Sequence, residues 1–274
     1  MINLVDVGLD HPRGGSPLVT GANLSVAAGE VVVIVGAAGV GTSRLVAAAL
    51  GEVPLASGCI ELLGRDVGKL RRSSLRLLRR HVGIVPQELS LLEDRSAQLN
   101  VVLPLEIDGI PRSVSLLRAA EILSRLGLES EASLPVDCLP PSTRQRVAVA
   151  RALIREPQLV IADHPTSAQD AMGADIVCTA LASAAAIQGA AVLVLGRDPM
   201  LRSIAELFGW RQLALVDGNL VPLAELATRE RSIDQALATI DSVIVDDSLG
   251  NIVQFPRADA RPASGPVART AGAR

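Results

Sequence analysis

The sequence predicts an α/β fold built around a mostly parallel sheet. Residues 31–35 and 159–162 are unbroken apolar runs, which suit strands buried on both faces of a parallel sheet. Helical patterns alternate with such runs along the chain, an order typical of α/β proteins. With 274 residues, the chain is also long enough to bury a large core.

Strands are expected where a short apolar or alternating run lies between turn residues. These runs are 2–9, 22–26, 31–35, 59–63, 82–85 and 159–163. Helical patterns cover residues around 46–50, a run from 103 to 128 broken at Gly109-Ile110-Pro111, and a run from 143 to 154. The basic segment from Arg65 to Arg80 is expected to be a helix with a solvated face, or alternatively a site for an anionic partner.

One uncharged segment, Ile176 to Gly196, is long enough to span a bilayer. It is rich in Ala and Ser, and Gln188-Gly189 interrupts it. We interpret it as a buried helix followed by a core strand at 191–195, so that any contact with a membrane would come through a partner. The first residues, Met1-Ile2-Asn3, do not have the pattern of a signal peptide.

Composition narrows the classes of function. Phe208, Trp210 and Phe255 are the only aromatic residues, so Leu, Val, Ile and Ala must build the core. The formal net charge of -3 disfavours general nucleic-acid binding, which needs concentrated positive charge. The cysteines at 59, 138 and 178 are scattered and form no CxxC pair, so they indicate neither a metal site nor a disulfide.

A glycine loop follows the apolar run 31–35. In phosphate loops of this kind, backbone N–H groups surround phosphate oxygens, a lysine neutralises charge and a Ser or Thr hydroxyl holds Mg²⁺. Here Thr42 occupies the lysine position, and Lys69 is the only lysine in the chain. An unrelated Gly/Ala turn is the alternative interpretation. The candidate phosphate-binding residues are Gly36, Gly39, Gly41, Thr42, Ser43 and Arg44.

Further motifs follow the loop in order. They are Val85-Pro86-Gln87, the segment 91–105, the run 139–153, the run 159–163 continued by His164-Pro165-Thr166 and Asp170, and Gly196-Arg197-Asp198-Pro199. With these motifs in this order, residues 1–222 resemble the nucleotide-binding subunit of ABC transporters. The segment 91–105 makes the likeness strongest to the cell-division ATPase FtsE and its lipoprotein-export relatives.

This resemblance implies a P-loop NTPase-like ABC ATPase fold. The fold would have a mostly parallel core sheet, an N-terminal antiparallel β subdomain and an α-helical subdomain at about 88–140, all within residues 1–222. Residues 223–256 are expected to form a helical appendage, because apolar residues recur there at helical spacing. Residues 257–274 are rich in Ala, Arg, Pro and Gly and are expected to be a disordered tail.

The resemblance also implies ATP and Mg²⁺ as ligands. By motif position, Ser43, Gln87 and Asp163 would hold Mg²⁺. His11 falls where the family stacks an aromatic residue on adenine. Ser142 lies in the signature turn, which faces the nucleotide of a second subunit.

Several positions depart from the family pattern. Thr42 replaces the loop lysine, His164 stands in the position of the catalytic glutamate, and Arg197 in that of the switch histidine. A neutral hydroxyl cannot supply the point charge of an ammonium. His164 is a candidate base or simply a structural histidine, and Arg197 a candidate phosphate ligand or a solvated arginine. Arg44 is expected to point away from the loop lining.

Pro140 and Pro141 replace residues of the signature turn. Serine and glycine there provide N–H donors and close backbone approach, whereas proline has no N–H and fixes φ. With these prolines and the departures at Thr42, His164 and Arg197, the catalytic set of Asp163, His164 and Arg197 would work poorly or not at all. The sequence leaves open whether the chain is an ATPase.

The expected function is a degenerate ATP-binding subunit of an FtsE/FtsX-like complex in cell division or export. It would bind nucleotide weakly and hydrolyse it little or not at all. The alternatives are a purely structural scaffold for a permease and a slow but functional ATPase. Its partners would be an FtsX-like or other ABC permease and a second ABC subunit, identical or different, but no nucleic acid. It would lie in the cytoplasm on the inner face of the cell membrane, held there by its partner.

Overall fold

The computed structural model describes residues 1–37 and 39–226, in which strands and helices alternate. The strands are β1 Ile2–Leu9, β2 Val19–Val26, β3 Val31–Gly36, β4 Ser57–Leu62, β5 Arg65–Asp66, β6 Val82–Val85, β7 Leu159–Asp163, β8 Ala191–Gly196, β9 Arg211–Val216 and β10 Asn219–Pro222. The α-helices are α1 Thr42–Ala49, α2 Arg72–Arg79, α3 Ala97–Ile107, α4 Arg112–Arg125, α5 Pro141–Leu153, α6 Ala171–Gln188 and α7 Pro199–Leu207. Short 3-10 helices cover Val67–Lys69 and Val136–Cys138.

The larger sheet has the strand order β10-β9-β3-β8-β7-β6. Strands β9, β3, β8, β7 and β6 are parallel, and only β10 runs antiparallel at one edge. This sheet, with helices between its strands, confirms the predicted α/β class and mostly parallel core.

The smaller sheet is antiparallel and has the order β2-β1-β4-β5. It occupies the N-terminal part of the chain, as the resemblance implied. Its apolar residues, including Ile2, Leu4 and Ile60, share one core with one face of the larger sheet.

The unbroken apolar runs are explained by the pleat of the larger sheet. Along β3, the side chains of Val31, Val33 and Val35 enter one core, while those of Val32 and Ile34 enter the other. The same alternation holds along β7 and β8. Because both faces are covered, the positions that enter either core are apolar, and a period of two is not visible in the sequence.

Most predicted strands are found, and two predicted helical segments need correction. The helix expected to begin at 103 begins at Ala97, where Ser96 caps it by accepting a hydrogen bond from Leu99 N–H. The basic segment 65–80 is not one helix: β5 and a 3-10 turn come first, and α2 begins only at Arg72. In this segment the Arg80 guanidinium lies 3.7 Å from the Asp108 carboxylate.

The uncharged segment 176–196 forms the end of α6 and all of β8, as interpreted from its sequence. Helix α6 is long and apolar enough to cross a membrane by length and composition alone. One of its faces nevertheless packs into the core, through Val177, Cys178, Leu181, Ala184 and Ala185. A core helix accounts for that burial.

Residues 223–226 are helical, and Leu223 and Leu226 pack against the core on one face of the larger sheet. The rest of the predicted appendage, 227–256, and the predicted tail, 257–274, lie outside the described residues.

Candidate functional site

Four segments predicted to carry function lie at one edge of the larger sheet. The glycine loop follows β3, Gln87 follows β6, His164 follows β7 and Arg197 follows β8. These strands are parallel, so their carboxyl ends meet at the same edge. This edge is where open α/β sheets bind ligands.

A cavity of about 410 Å³ at this edge brings together the three predicted Mg²⁺ ligands, Ser43, Gln87 and Asp163. The Ser43 hydroxyl donates a hydrogen bond of 3.3 Å to Oε1 of Gln87. Glu52 and Glu88 also line the cavity. Gln87 lies 44 residues after Ser43, and Asp163 lies 76 residues after Gln87. Only the folded sheet brings these three side chains to one site.

The glycine loop has a backbone that other residues would adopt at a cost. Gly39 and Gly41 have φ of 83° and 108°, in the region that favours glycine. A Cβ on Gly36 would lie 2.7 Å from Cγ2 of Val40, so the loop folds tightly over the end of β3. No side chain caps the N-terminus of α1. The first N–H groups of α1 are therefore free to bind an anion.

Neither Thr42 nor Arg44 provides an ammonium group at the glycine loop. Thr42 is buried, and its methyl group faces Gly36 at the base of the loop. Nε of Arg44 is also buried and has no hydrogen-bond partner. The N-terminus of α1 therefore presents neutral N–H and hydroxyl groups, with no ammonium among them.

Asp163 is buried at the end of β7, and His164 turns back onto it. Nδ1 of His164 lies 2.7 Å from Oδ1 of Asp163. A carboxylate can only accept, so the shared proton belongs to Nδ1. The backbone of His164 has φ of 55°, an unusual value for a residue other than glycine, and its N–H donates to the carbonyl of Leu195.

Gln145 of α5 holds the segment after β7, a role that the sequence reasoning missed. Its buried side-chain amide donates to the carbonyl of His164 at 2.8 Å and accepts from the N–H of Ala168 at 3.1 Å. The available signal was a polar residue within the apolar, buried side of a helical run. Such a residue needs partners, and here the partners are on the segment that follows Asp163.

The predicted site residues His11, Arg197 and Ser142 are not among the residues that line this cavity. His11 accepts a hydrogen bond from Arg13 N–H in the turn between β1 and β2. Leu18, the last residue of that turn, lies close to the glycine loop: a Cβ added to Gly41 would be 2.9 Å from the Cβ of Leu18. Arg197 is exposed and makes no hydrogen bond or ion pair within the described part of the chain.

Ser142 lies in a second cavity, of about 270 Å³, with Arg146 and Asp170. Its carbonyl accepts a hydrogen bond from the side chain of Gln169. Pro140 caps α5 and Pro141 is its first residue, so both lack the N–H that a ligand at this helix end would use. The first turn keeps the N–H groups of Ser142 and Thr143.

The oxygen donors of Ser43, Gln87 and Asp163 suit Mg²⁺ together with phosphate. Carboxylate, amide and hydroxyl oxygens are the hard ligands that Mg²⁺ prefers, and it is often held by one carboxylate plus substrate phosphates. Among residues 1–37 and 39–226, no group of three or more His, Cys, Asp or Glu side chains could hold a metal by itself. A metal at Asp163 would therefore depend on the bound ligand for further oxygens.

Comparison with known proteins gives a consistent family. Residues 19–167 match the family model described as ABC transporter. The methionine import ATP-binding protein MetN of Caulobacter vibrioides is 38% identical over 170 residues, which are 62% of this chain and 51% of MetN. The macrolide export ATP-binding/permease protein MacB of Shigella sonnei is 36% identical over 81% of this chain and 34% of MacB.

This chain therefore spans about half the length of MetN and about a third of MacB. Among solved structures, it is similar to the ATP-binding cassette MJ0796, in a dimeric post-hydrolysis state bound to ADP and Pi. The TM-score is 0.71 at 28% identity, covering 80% of this chain and 96% of that one. The chain belongs to the ABC transporter family, and its fold is that of an ABC ATPase cassette.

Proposed function

We propose that this chain is the ATP-binding subunit of a membrane transport complex, and that it binds nucleotide weakly and hydrolyses it little or not at all. The observation that carries the proposal is the shared cavity of Ser43, Gln87 and Asp163 beside a glycine loop without its lysine. Metal ligands are retained there, while the residues that hold and transfer phosphate are changed.

Each residue has a proposed part in nucleotide binding. The loop from Gly36 to Ser43 and the N-terminus of α1 would surround phosphate with N–H groups. Ser43, Gln87 and Asp163 would hold Mg²⁺, which neutralises phosphate charge when bound. His11 would lie against the base, reached from the turn that ends at Leu18. Arg197 would supply positive charge that Thr42 cannot.

Hydrolysis requires more than binding. A water must be positioned, and charge must be stabilised on the transferring phosphoryl group. His164 stands where a base is needed, but its imidazole differs from a carboxylate in reach and in charge, and its Nδ1 contacts Asp163. With Thr42 neutral as well, both requirements are weakened at one site. This favours a low or absent turnover over a slow but functional ATPase.

We further propose that the membrane partner is an FtsX-like or other ABC permease. The segment 91–105 supports the FtsE-like assignment, whereas the relatives named above are a methionine importer and a macrolide exporter ATPase. The partner would hold the subunit on the cytoplasmic face of the cell membrane. A second ABC subunit, identical or different, would complete the nucleotide site through its α5 end.

A purely structural scaffold is the alternative, and one observation favours it. Pro140 and Pro141 remove two N–H groups from the α5 end that a second subunit would present to nucleotide. In a homodimer, both the glycine loop and the opposing helix end would then be weakened at every site.

Nucleotide binding and turnover distinguish these functions. The purified full chain is titrated with a fluorescent ATP analogue with and without Mg²⁺, and phosphate release is measured. We expect weak binding that Mg²⁺ strengthens, and little release. The double variant Thr42→Lys, His164→Glu should bind more tightly, because it regains an ammonium, and should release phosphate faster, because it regains a carboxylate that can act as a base.

Asp163→Ala is the control that removes the metal ligand. Binding that is absent in the wild type but present in the double variant would favour the scaffold. Robust wild-type phosphate release that Asp163→Ala abolishes would overturn the proposal of a nearly inactive subunit.

A further inference from the structure

Gln87 begins a connection to α3 that has no regular structure of its own. Residues 88–96 lie between β6 and α3, and Ser90 has φ of 48°. Backbone hydrogen bonds tie the later part of this connection to the segment before α5, from Val136 N–H to Arg95 and from Asp137 N–H to Glu93. The part nearest Gln87 has to be held by side chains.

Arg151 of α5 holds that nearer part. One guanidinium nitrogen donates to the carbonyl of Ser90 at 2.9 Å and the other to the carbonyl of Leu89 at 2.7 Å. These residues are two and three positions from Gln87. A planar guanidinium can bond two successive carbonyls at once, whereas a single ammonium cannot reproduce that fork.

The surroundings of Arg151 leave these carbonyls as its partners. Burial lowers the pKa of its guanidinium. It lines a cavity of about 210 Å³ with Arg79 and Arg155, and no carboxylate is among the lining residues. Within the part of the chain that the structure describes, Arg151 forms no ion pair. A buried guanidinium without an acidic partner needs other acceptors, and the carbonyls of Leu89 and Ser90 are the acceptors that Arg151 has.

Asn100 of α3 holds the far part of the same connection. Its fully buried amide accepts from Leu92 N–H at 2.7 Å and donates to the carbonyl of Leu92 at 2.9 Å, with longer contacts to Arg95 and Ser96. The connection is thus fixed to α3 at one end and to α5 at the other. Gln87 lies just beyond the α5 attachment.

We propose that Arg151 is a positioning residue through which α5 sets the location of Gln87 in the cavity with Ser43 and Asp163. Helix α5 carries Ser142 at its beginning and Arg151 nine residues later, about 13 Å along a rigid helix. A displacement of the Ser142 end therefore moves the carbonyl contacts of Leu89 and Ser90, and with them Gln87. The part concerning Mg²⁺ rests on the proposed nucleotide site.

A variant pair on α5 tests this role. Arg151→Met removes the two contacts and keeps an unbranched apolar side chain in place of the aliphatic part of the arginine. Arg146→Met is the matched control, because Arg146 also lies on α5 and donates to a backbone carbonyl, that of Leu126 at 3.0 Å, outside the connection. Both variants are made in the full chain, and thermal unfolding verifies that they fold.

Amide hydrogen exchange is the first measurement and needs no ligand. Arg151→Met should accelerate exchange at residues 87–92 by tenfold or more, and Arg146→Met should leave it within twofold of the wild type. Arg151→Lys should give an intermediate value, since an ammonium can keep one of the two contacts. This variant also keeps the test informative if Arg151→Met does not fold.

The second measurement is the gain in affinity for the fluorescent ATP analogue on adding Mg²⁺. Arg151→Met should reduce that gain several-fold while leaving the affinity without Mg²⁺ within twofold. Unchanged exchange at 87–92, or equal acceleration in both variants, would overturn the role of Arg151. If the wild type shows no such gain, the proposed nucleotide site fails and the exchange result alone decides on Arg151.

Discussion

His164 and Asp163 are in direct polar contact at the candidate site, with Nδ1 of His164 2.7 Å from Oδ1 of Asp163. The histidine thus occupies one oxygen of the only carboxylate at the end of β7. A metal at Asp163 has to share that oxygen or use the other one.

His164→Ala should strengthen binding of a divalent cation. A hydrogen bond to a charged group contributes about 1.5 kcal/mol or more, so losing it should raise the affinity of the carboxylate for metal by about tenfold or more. The measurement is Mn²⁺ titration in the presence of an ATP analogue, by electron paramagnetic resonance. His81→Ala, an exposed histidine outside the cavity, is the control. Weaker Mn²⁺ binding in His164→Ala would show that the imidazole supports the site.

Arg197→Gln should weaken binding of ATP but not of adenosine. Gly196 pairs with Val35 in the sheet register, so Arg197 follows beside the start of the glycine loop. A guanidinium that contacts phosphate through charge-assisted bonds should contribute about tenfold in Kd. Titration at two salt concentrations measures this, and the loss should shrink at high salt. Arg202→Gln, exposed on α7, is the matched control, and an equal loss in both variants would argue against contact by Arg197.

Gly39→Ala and Gly41→Ala should differ in stability although both have positive φ. Each substitution forces a left-handed backbone on alanine, at about 1 kcal/mol. Only at Gly41 would the new Cβ also meet another atom, Cβ of Leu18 at 2.9 Å, whereas a Cβ on Gly39 has open space. We expect urea unfolding to give a loss about 1 to 2 kcal/mol larger for Gly41→Ala. Equal losses would mean that Leu18 moves aside freely.

Cys178 should make the free energy of unfolding fall at alkaline pH. Burial raises the pKa of its thiol to about 12, whereas an unfolded thiol has a pKa of about 8.5. Between these values the unfolded chain releases a proton that the folded chain keeps. Stability is therefore lost as pH rises, by about 1.4 kcal/mol per unit, and is unaffected below about pH 8.

The measurement compares the wild type with Cys178→Ala by urea unfolding from pH 8 to pH 10. The stability difference between the two proteins should shift by about 2 kcal/mol toward the variant over that range. Taking the difference cancels the effect of other alkaline groups. A difference that stays constant with pH would contradict the raised pKa.

Much of the fold could be predicted because each element leaves a local mark. The strands at 2–9, 82–85 and 159–163 coincide with apolar runs, and the glycine loop is read from its residues. The start of α3 was predicted too late, since Asn100 and Pro104 interrupt its apolar pattern. Asn100 belongs in the helix because its amide satisfies the backbone of the preceding connection, a contact that no local pattern reveals.

The sequence by itself determined the α/β class, the glycine loop without a lysine and the presence of Thr42 and His164, because these depend on residue type and order. Only the tertiary structure decided that Ser43, Gln87 and Asp163 share one cavity, that His164 bonds to Asp163, and that Arg151 holds the connection after Gln87. Such contacts join residues far apart in the chain, and strand order and helix packing set their distances. Strand order and helix packing cannot be predicted from any one segment of the sequence.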